Sequence, residues 1–161
     1  MKLSHISAAV VLVLGSQACL AAGGPLDISS GSVGFSNTPT ALGFTDTYTF
    51  SLPLAGTISG SITAVVNGAQ DVDFLGIFLT GPSGAFTFTQ LLADPFETWG
   101  LSPVAVAAGS YTLSLIGTNT PAIGSYGGNL AVTLVPEPEP YALLLAGMAV
   151  VGLLSRRRIG R

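Results

Sequence analysis

Large apolar residues alternate with small polar residues along most of the chain between residues 23 and 135. The clearest segments are residues 48–52, 111–115 and 130–134, which read Tyr-Thr-Phe-Ser-Leu, Tyr-Thr-Leu-Ser-Leu and Leu-Ala-Val-Thr-Leu. A period of two places the large side chains of each segment on one face of a β-strand, and no helical period runs for more than a few residues here. The pattern therefore predicts an all-β fold in which these faces build the core.

Turn signals divide the same region into about seven or eight short strands. Asn67-Gly68, the segment from Gly81 to Gly84 and the segment from Ala108 to Ser110 separate the apolar stretches. Further strands are predicted over residues 56–66, 72–79, 86–89 and 101–106. Strands of this number and spacing favour an antiparallel β-sandwich, and a region of this size can bury a modest core.

The charges of the chain are confined to separate regions. Lys2 lies near the N-terminus, and all the arginines lie at Arg156, Arg157, Arg158 and Arg161. Residues 23–135 contain no Lys, Arg, His or Cys, and their charged side chains are all acidic: Asp27, Asp46, Asp71, Asp73, Asp94 and Glu97. Because nucleic-acid binders draw most of their affinity from Lys and Arg on phosphates, that class is excluded.

The same composition argues against enzymatic activity. Most hydrolytic mechanisms need His as a base, or a nucleophile that His or Lys activates, and residues 23–135 offer neither. A serine-hydrolase triad is therefore excluded, and we predict that the protein is not an enzyme. The alternative is a glycosidase that uses a carboxylate pair, for which Asp71, Asp73, Asp94 and Glu97 are the candidates.

The N-terminus has the three parts of a secretory signal peptide. Lys2 gives a basic start, residues 6–14 form an almost unbroken apolar stretch, and small residues lead to a cleavage site after Ala21 or Ala22. A permanent transmembrane helix would need a longer apolar run. A second alternative is a lipoprotein acylated at Cys19, although Ser16 stands where such signals usually carry Leu. We expect signal peptidase to remove residues 1–22.

The C-terminus combines a proline-rich segment, an apolar run and a basic cluster. Val135, Pro136, Glu137 and Pro138 come first, residues 141–154 carry no charge, and Arg156, Arg157 and Arg158 follow. This pattern predicts a transmembrane helix over 141–154, with the arginines as a cytoplasmic stop-transfer cluster and the preceding domain outside the inner membrane. A buried core helix is the alternative, but it gives no reason for the flanking prolines and arginines.

These parts, in this order, resemble the sorting tail of the PEP-CTERM family of exported Gram-negative proteins. The resemblance covers only the last part of the chain, and Pro140 departs from the Ser or Thr of many members. It implies recognition by an exosortase, cleavage near Pro136-Glu137-Pro138 and a transient stay in the inner membrane. It further implies delivery to the cell surface or extracellular matrix of bacteria that make exopolysaccharide.

Two other resemblances concern the region between the signals. Phe44, Asp46 and Tyr48 resemble the FxDxF signature of one PEP-CTERM subgroup, with Tyr48 in place of the second Phe. The order of the aspartates and turns is also similar to bacterial pre-peptidase C-terminal domains, which implies a noncatalytic jelly-roll module. From its own neighbours, Asp46 is predicted to organise a turn before a strand, with ligand binding as the alternative.

Three residues are candidates for ligand contact. Asp71 and Asp73 would share one face of a strand, where their oxygens suit Ca²⁺, although no EF-hand spacing is present. Otherwise the pair would lie on a solvated face. Trp99 is the sole tryptophan and is expected to pack in the core, with stacking on a sugar ring as the alternative.

Together these features predict a signal peptide at 1–22, a β-sandwich at 23–135 and a sorting segment at 136–161. The predicted function is that of a noncatalytic exported surface or matrix protein, sorted by exosortase and associated with exopolysaccharide in a biofilm. The alternative is a secreted carbohydrate-binding module, which requires Trp99, Tyr111 or Tyr126 to be exposed in a groove. No cofactor other than Ca²⁺ is suggested.

Overall fold

The computed structural model describes residues 23–135 and 139–159. The predicted signal peptide with Ala21 and Ala22, and the residues Pro136, Glu137 and Pro138, lie outside the described residues. Within these two ranges the chain forms ten strands and then one helix. The strands are Gly23–Pro25 (β1), Ser32–Asn37 (β2), Gly43–Leu52 (β3), Gly56–Val65 (β4), Val72–Gly81 (β5), Gly84–Thr87 (β6), Thr89–Leu92 (β7), Phe96–Val106 (β8), Gly109–Asn119 (β9) and Tyr126–Leu134 (β10), and the helix is Glu139–Ile159 (α1).

The strands form two sheets of five strands each. The first sheet has the order β1-β3-β9-β5-β6 and the second has the order β2-β10-β4-β8-β7. All neighbours are antiparallel except β1, which runs parallel to β3 at one edge. From β2 to β5, and again from β8 to β10, each successive strand lies in the other sheet. The predicted antiparallel sandwich is therefore confirmed, and its strand order is that of a jelly roll.

The core lies between the two sheets and comes from the alternating positions. In β9, Tyr111, Leu113 and Leu115 are buried, whereas the Thr and Ser residues between them are partly exposed on the outer face. Ile58 and Ile62 of β4 are fully buried in the opposite sheet. Each such aliphatic side chain contributes about 1.5–3 kcal/mol by leaving water, so the period-two pattern itself stabilises the sandwich.

The structure differs from the predicted strands mainly at one corner. Residues 86–89 do not form one strand, because Phe88 separates β6 from β7, and these two strands belong to different sheets. The Phe88 side chain is buried and its backbone N–H donates to the oxygen of Ile77 at 3.0 Å. The chain thus changes sheet at this residue. Two further strands, β1 and β2, were not predicted, since residues 23–37 have few large apolar residues.

Candidate functional site

An acidic corner forms where the start of β5 meets the connection between β7 and β8. Asp71 directly precedes β5, Asp73 is its second residue, and Asp94 lies in the connection. One carboxylate oxygen from each of the three residues lies within 4.8 Å of the others. Asp71 and Asp73 therefore lie close together, and the fold adds Asp94 from a more distant part of the sequence.

Asp71 is the least solvated member of the acidic corner. Among the described residues, its Oδ1 atom is buried without a hydrogen-bond partner. Burial raises the pKa of Asp71, and the negative charges of Asp73 and Asp94 raise it further, while a hydrogen bond from the backbone of Val72 lowers it in part. Carboxylate oxygens at this spacing suit a hard cation such as Ca²⁺ chemically. Asp71, Asp73 and Asp94 are the residues that would hold it.

Glu97 lies near this corner and is buried at the start of β8. Its Oε1 atom accepts hydrogen bonds from Trp99 Nε1 at 2.9 Å and from Gln90 Nε2 at 3.1 Å. Its Oε2 atom accepts one from the backbone N–H of Phe74 at 3.1 Å. Burial raises the pKa of Glu97, the bonds from Trp99 and Phe74 lower it, and the charges of Asp73 and Asp94 raise it again.

Trp99 is partly buried and packs against the core, as was expected for its ring. Its indole N–H is satisfied by Glu97, so this polar group does not require a ligand. Tyr111 and Tyr126 are only 1% and 3% exposed. Neither tyrosine therefore offers the exposed aromatic ring on which the carbohydrate-binding alternative depends.

Asp46 lies in the middle of β3, where it is completely buried, and it does not organise a turn. Asn37 Nδ2 donates a hydrogen bond to Asp46 Oδ2 at 2.7 Å, and the Tyr126 hydroxyl donates to the same oxygen. The hydroxyls of Tyr48 and Tyr126 are 3.2 Å apart. The turn prediction was wrong because Thr45 and Thr47 continue the outer face of a strand whose inner face includes Asp46.

This buried cluster connects the two sheets. Asp46 and Tyr48 come from β3 of the first sheet, whereas Asn37 and Tyr126 come from β2 and β10 of the second. Burial raises the pKa of Tyr126, and its bonds to Asp46 and Tyr48 raise it further. Phe44, Asp46 and Tyr48 all point into the core. The FxDxF-like segment is therefore part of the core. The hydrogen bonds of Asn37 and Tyr126 to Asp46 could not be predicted from the sequence around either residue.

The C-terminal segment begins without a break from the sandwich. Leu134, the last residue of β10, pairs with Gly56, and the N–H of Val135 donates to the oxygen of Ala55 at 2.9 Å. Helix α1 then includes the predicted residues 141–154 and the cluster of Arg156, Arg157 and Arg158. The apolar side chains from Leu143 to Val151 are exposed.

The membrane-spanning part of the helix prediction is corrected by the structure. In residues 23–135 and 139–159, no helix combines the length and apolarity needed to cross a membrane. The physical reason lies in the sequence, because the uncharged run of residues 141–154 reaches only about 21 Å in a helix, against a hydrocarbon core of roughly 30 Å.

A comparison with protein families identifies this tail. Residues 134–158 match the model of the PEP-CTERM protein-sorting motif. The chain carries a PEP-CTERM sorting motif. The match includes Val135, Pro136, Glu137, Pro138 and the arginine cluster, so the motif marks an exported protein with a C-terminal sorting tail and implies processing by an exosortase. It does not reach residues 44–48, so membership of the FxDxF subgroup stays a prediction.

The sandwich has distant likenesses among solved structures, and no curated protein matches the chain. A mutant of PliG-Ec, a periplasmic inhibitor of g-type lysozyme from Escherichia coli, is 15% identical over 70% of this chain and 99% of its own, with a TM-score of 0.40. The pre-peptidase C-terminal domain of collagenase from Bacillus anthracis is 18% identical over 71% and 96%, with a TM-score of 0.39. CBM35 from Cellvibrio japonicus Abf62 is 19% identical over 60% and 70%, with a TM-score of 0.35. TM-scores this low support no functional argument.

Proposed function

We propose that this PEP-CTERM protein is a noncatalytic component of the cell surface or extracellular matrix, which an exosortase releases or attaches in a bacterium that makes exopolysaccharide. The observation that carries the proposal is the sorting motif that follows directly on a folded sandwich. The acidic composition of residues 23–135, without Lys, Arg or His, supports a noncatalytic role. Because the charged side chains at the surface of this region are all acidic, they also favour solubility and reduce nonspecific contacts with polyanions.

The proposed route has two cuts. Signal peptidase cuts after Ala21 or Ala22 during export and removes the residues before that bond. The apolar surface of α1 then holds the precursor at the inner membrane. Exosortase next breaks a peptide bond near Pro136-Glu137-Pro138, and the acyl group passes either to water, which leaves a free carboxylate, or to a nucleophile on a surface polymer. The mature product is the sandwich formed by residues 23–135.

The experiment that tests this route is intact-mass analysis of the protein from envelope and culture-supernatant fractions. Wild-type cells are compared with a strain that lacks exosortase. We expect a supernatant or surface species that begins near Gly23 and ends between Val135 and Pro138 only in the strain with exosortase. Excess mass at the new C-terminus identifies transfer to a polymer. A full-length tail in both strains would refute the proposal.

A further inference from the structure

The sorting motif begins inside the folded domain. Leu134 belongs both to the family match and to strand β10, where it pairs with Gly56. Val135 N–H donates to the oxygen of Ala55 at 2.9 Å, and Pro136 is the next residue. The residue just before the Pro-Glu-Pro segment is therefore bonded to the connection between β3 and β4, with no linker between the domain and the motif.

The end of β10 is held from one side only. Strand β2 pairs with β10 as far as Ala131, and the N–H of Val132 still donates to the oxygen of Gly31 at 2.7 Å. Beyond this point, β4 is the strand that pairs with Thr133 and Leu134. Pro136 has no N–H with which to continue the ladder. This last stretch is therefore the part of β10 that opens with the least loss of hydrogen bonding.

Packing beside this stretch is one-sided. A surface cleft of about 480 Å³ that opens to solvent adjoins Leu134 and is lined in part by Leu26, Ile28 and Leu52. Leu134 is itself 38% exposed, so it forms fewer van der Waals contacts than a core residue and contributes less to holding the strand end in place. Local opening of a strand end with few bonds and an exposed side chain requires much less free energy than global unfolding.

We infer that the sandwich controls the rate at which its own sorting motif is processed, because the segment from Thr133 to Val135 must leave β4 before a protease can bind the residues around Pro136. This inference rests on the proposed function, in which exosortase cuts at that motif. An active site that binds substrate in extended form needs the backbone groups that β4 and Ala55 now occupy. When opening and reclosing are fast, cleavage follows the population of the opened state.

Two changes to the full-length protein increase that population and leave residues 135–158 of the motif unchanged. An insertion of Gly-Ser-Gly-Ser between Leu134 and Val135 separates the motif from the strand. The substitution Gly56→Ala places a Cβ against the backbone oxygen of Thr133, so the end of β10 must move away. Gly43→Ala is the matched control, because a Cβ at Gly43 has no neighbour within 4 Å. Neither glycine has a positive φ, so alanine introduces no backbone strain.

The first measurement uses purified full-length protein and a proline-specific endoprotease, with the fragment that ends at Pro136 quantified by mass. We expect the insertion and Gly56→Ala to speed the appearance of this fragment at least about fivefold, in proportion to the opened population, whereas Gly43→Ala matches wild type. If Gly56→Ala loses its cooperative thermal transition, the cleavage rate of the insertion variant alone tests the inference. Equal rates for wild type and the insertion variant overturn the inference.

The second measurement follows conversion of precursor to mature protein in pulse-labelled cells that contain exosortase. We expect the same order of rates as with the endoprotease. If the variants differ with the endoprotease but no form is converted in cells, the proposed function fails and the structural inference stands. If wild type is converted in cells at the rate of the insertion variant, the fold does not control processing and the inference fails.

Discussion

At the scale of single residues, the core contains a carboxyl group, that of Asp46, which is completely buried. A polar group that is buried is costly unless it forms hydrogen bonds. Asn37 and Tyr126 provide such bonds from the opposite sheet. The neighbours of Asp46 predicted a turn, whereas the residue lies inside β3. Its partners are 9 and 80 residues away in sequence, so only the fold brings them together.

Removing the Tyr126 hydroxyl should therefore destabilise the protein more than removing an ordinary buried hydroxyl. Tyr126→Phe takes a donor from a buried oxygen of Asp46, and leaving a buried acceptor short of a partner costs about 1–3 kcal/mol. The matched control is Tyr111→Phe, whose hydroxyl donates to the backbone oxygen of Ala107 at 2.9 Å and should cost about 0.5–1.5 kcal/mol. Urea unfolding monitored by circular dichroism measures both, and equal losses would show that the bond to Asp46 stabilises the core no more than an ordinary hydroxyl bond does.

The carboxyls of Asp71 and Glu97 predict how stability changes with pH. Burial raises the pKa of both groups in the folded state, so the native protein binds their protons more tightly than the unfolded chain does. Stability is therefore greater at low pH, and it falls as pH rises from the ordinary carboxyl range through the raised folded-state pKa values. Thermal melts across this range should show the decrease, and Asp71→Asn should make it shallower. A variant with the wild-type slope would contradict this account.

Cation addition offers a separate test of the acidic corner. If Ca²⁺ binds among Asp71, Asp73 and Asp94, its charge offsets their mutual repulsion and supplies a partner for the buried Oδ1 of Asp71. Stability should then rise with concentration, by about 2.7 kcal/mol at a hundredfold excess over the dissociation constant, and chelation should reverse the gain. Asp73→Asn should reduce the effect, with Mg²⁺ as the ionic control. An unchanged melting temperature at millimolar Ca²⁺ would exclude this site.

At the scale of strands, alternation predicted which faces are buried but not where the chain changes sheet. Each of the segments 48–52, 111–115 and 130–134 lies within a longer strand, and their large residues are buried except Leu134, which is exposed at the strand end. Residues 86–89 were predicted to form one strand, but they contribute to two strands, β6 and β7, which belong to different sheets. A switch of this kind depends on the register of neighbouring strands, and residues 86–89 alone carry no information about that register.

Phe88 should therefore be essential at this corner. It is 1% exposed between β6 and β7, so Phe88→Ala should cost about 3–5 kcal/mol through lost burial and the cavity that remains. Phe96→Ala is a matched control at a side chain that is 58% exposed, and its effect should stay within about 0.5 kcal/mol. Denaturant midpoints of the two variants measure the difference. Similar midpoints would show that Phe88 does not anchor the change of sheet.

At the scale of the whole molecule, the sequence predicted the destination of the protein better than the details of its surface. The sorting tail is a continuous motif, so it can be read directly and matches at residues 134–158. The acidic corner needs Asp94 to approach Asp71 and Asp73, and the position of Trp99 depends on Glu97 and Gln90. These arrangements depend on tertiary contacts. The sequence identifies the types of residue involved but not which of them come together.

The edge strand β1 has a practical consequence for the mature protein. Gly23 pairs with Thr47, so a cut after Ala22 would leave the new α-amino group at the edge of the first sheet. Because residues 23–135 contain no lysine, this group would be the sole primary amine of the released sandwich. An amine-reactive dye or surface would then attach to each molecule once, at a known place and in one orientation, without any engineered residue.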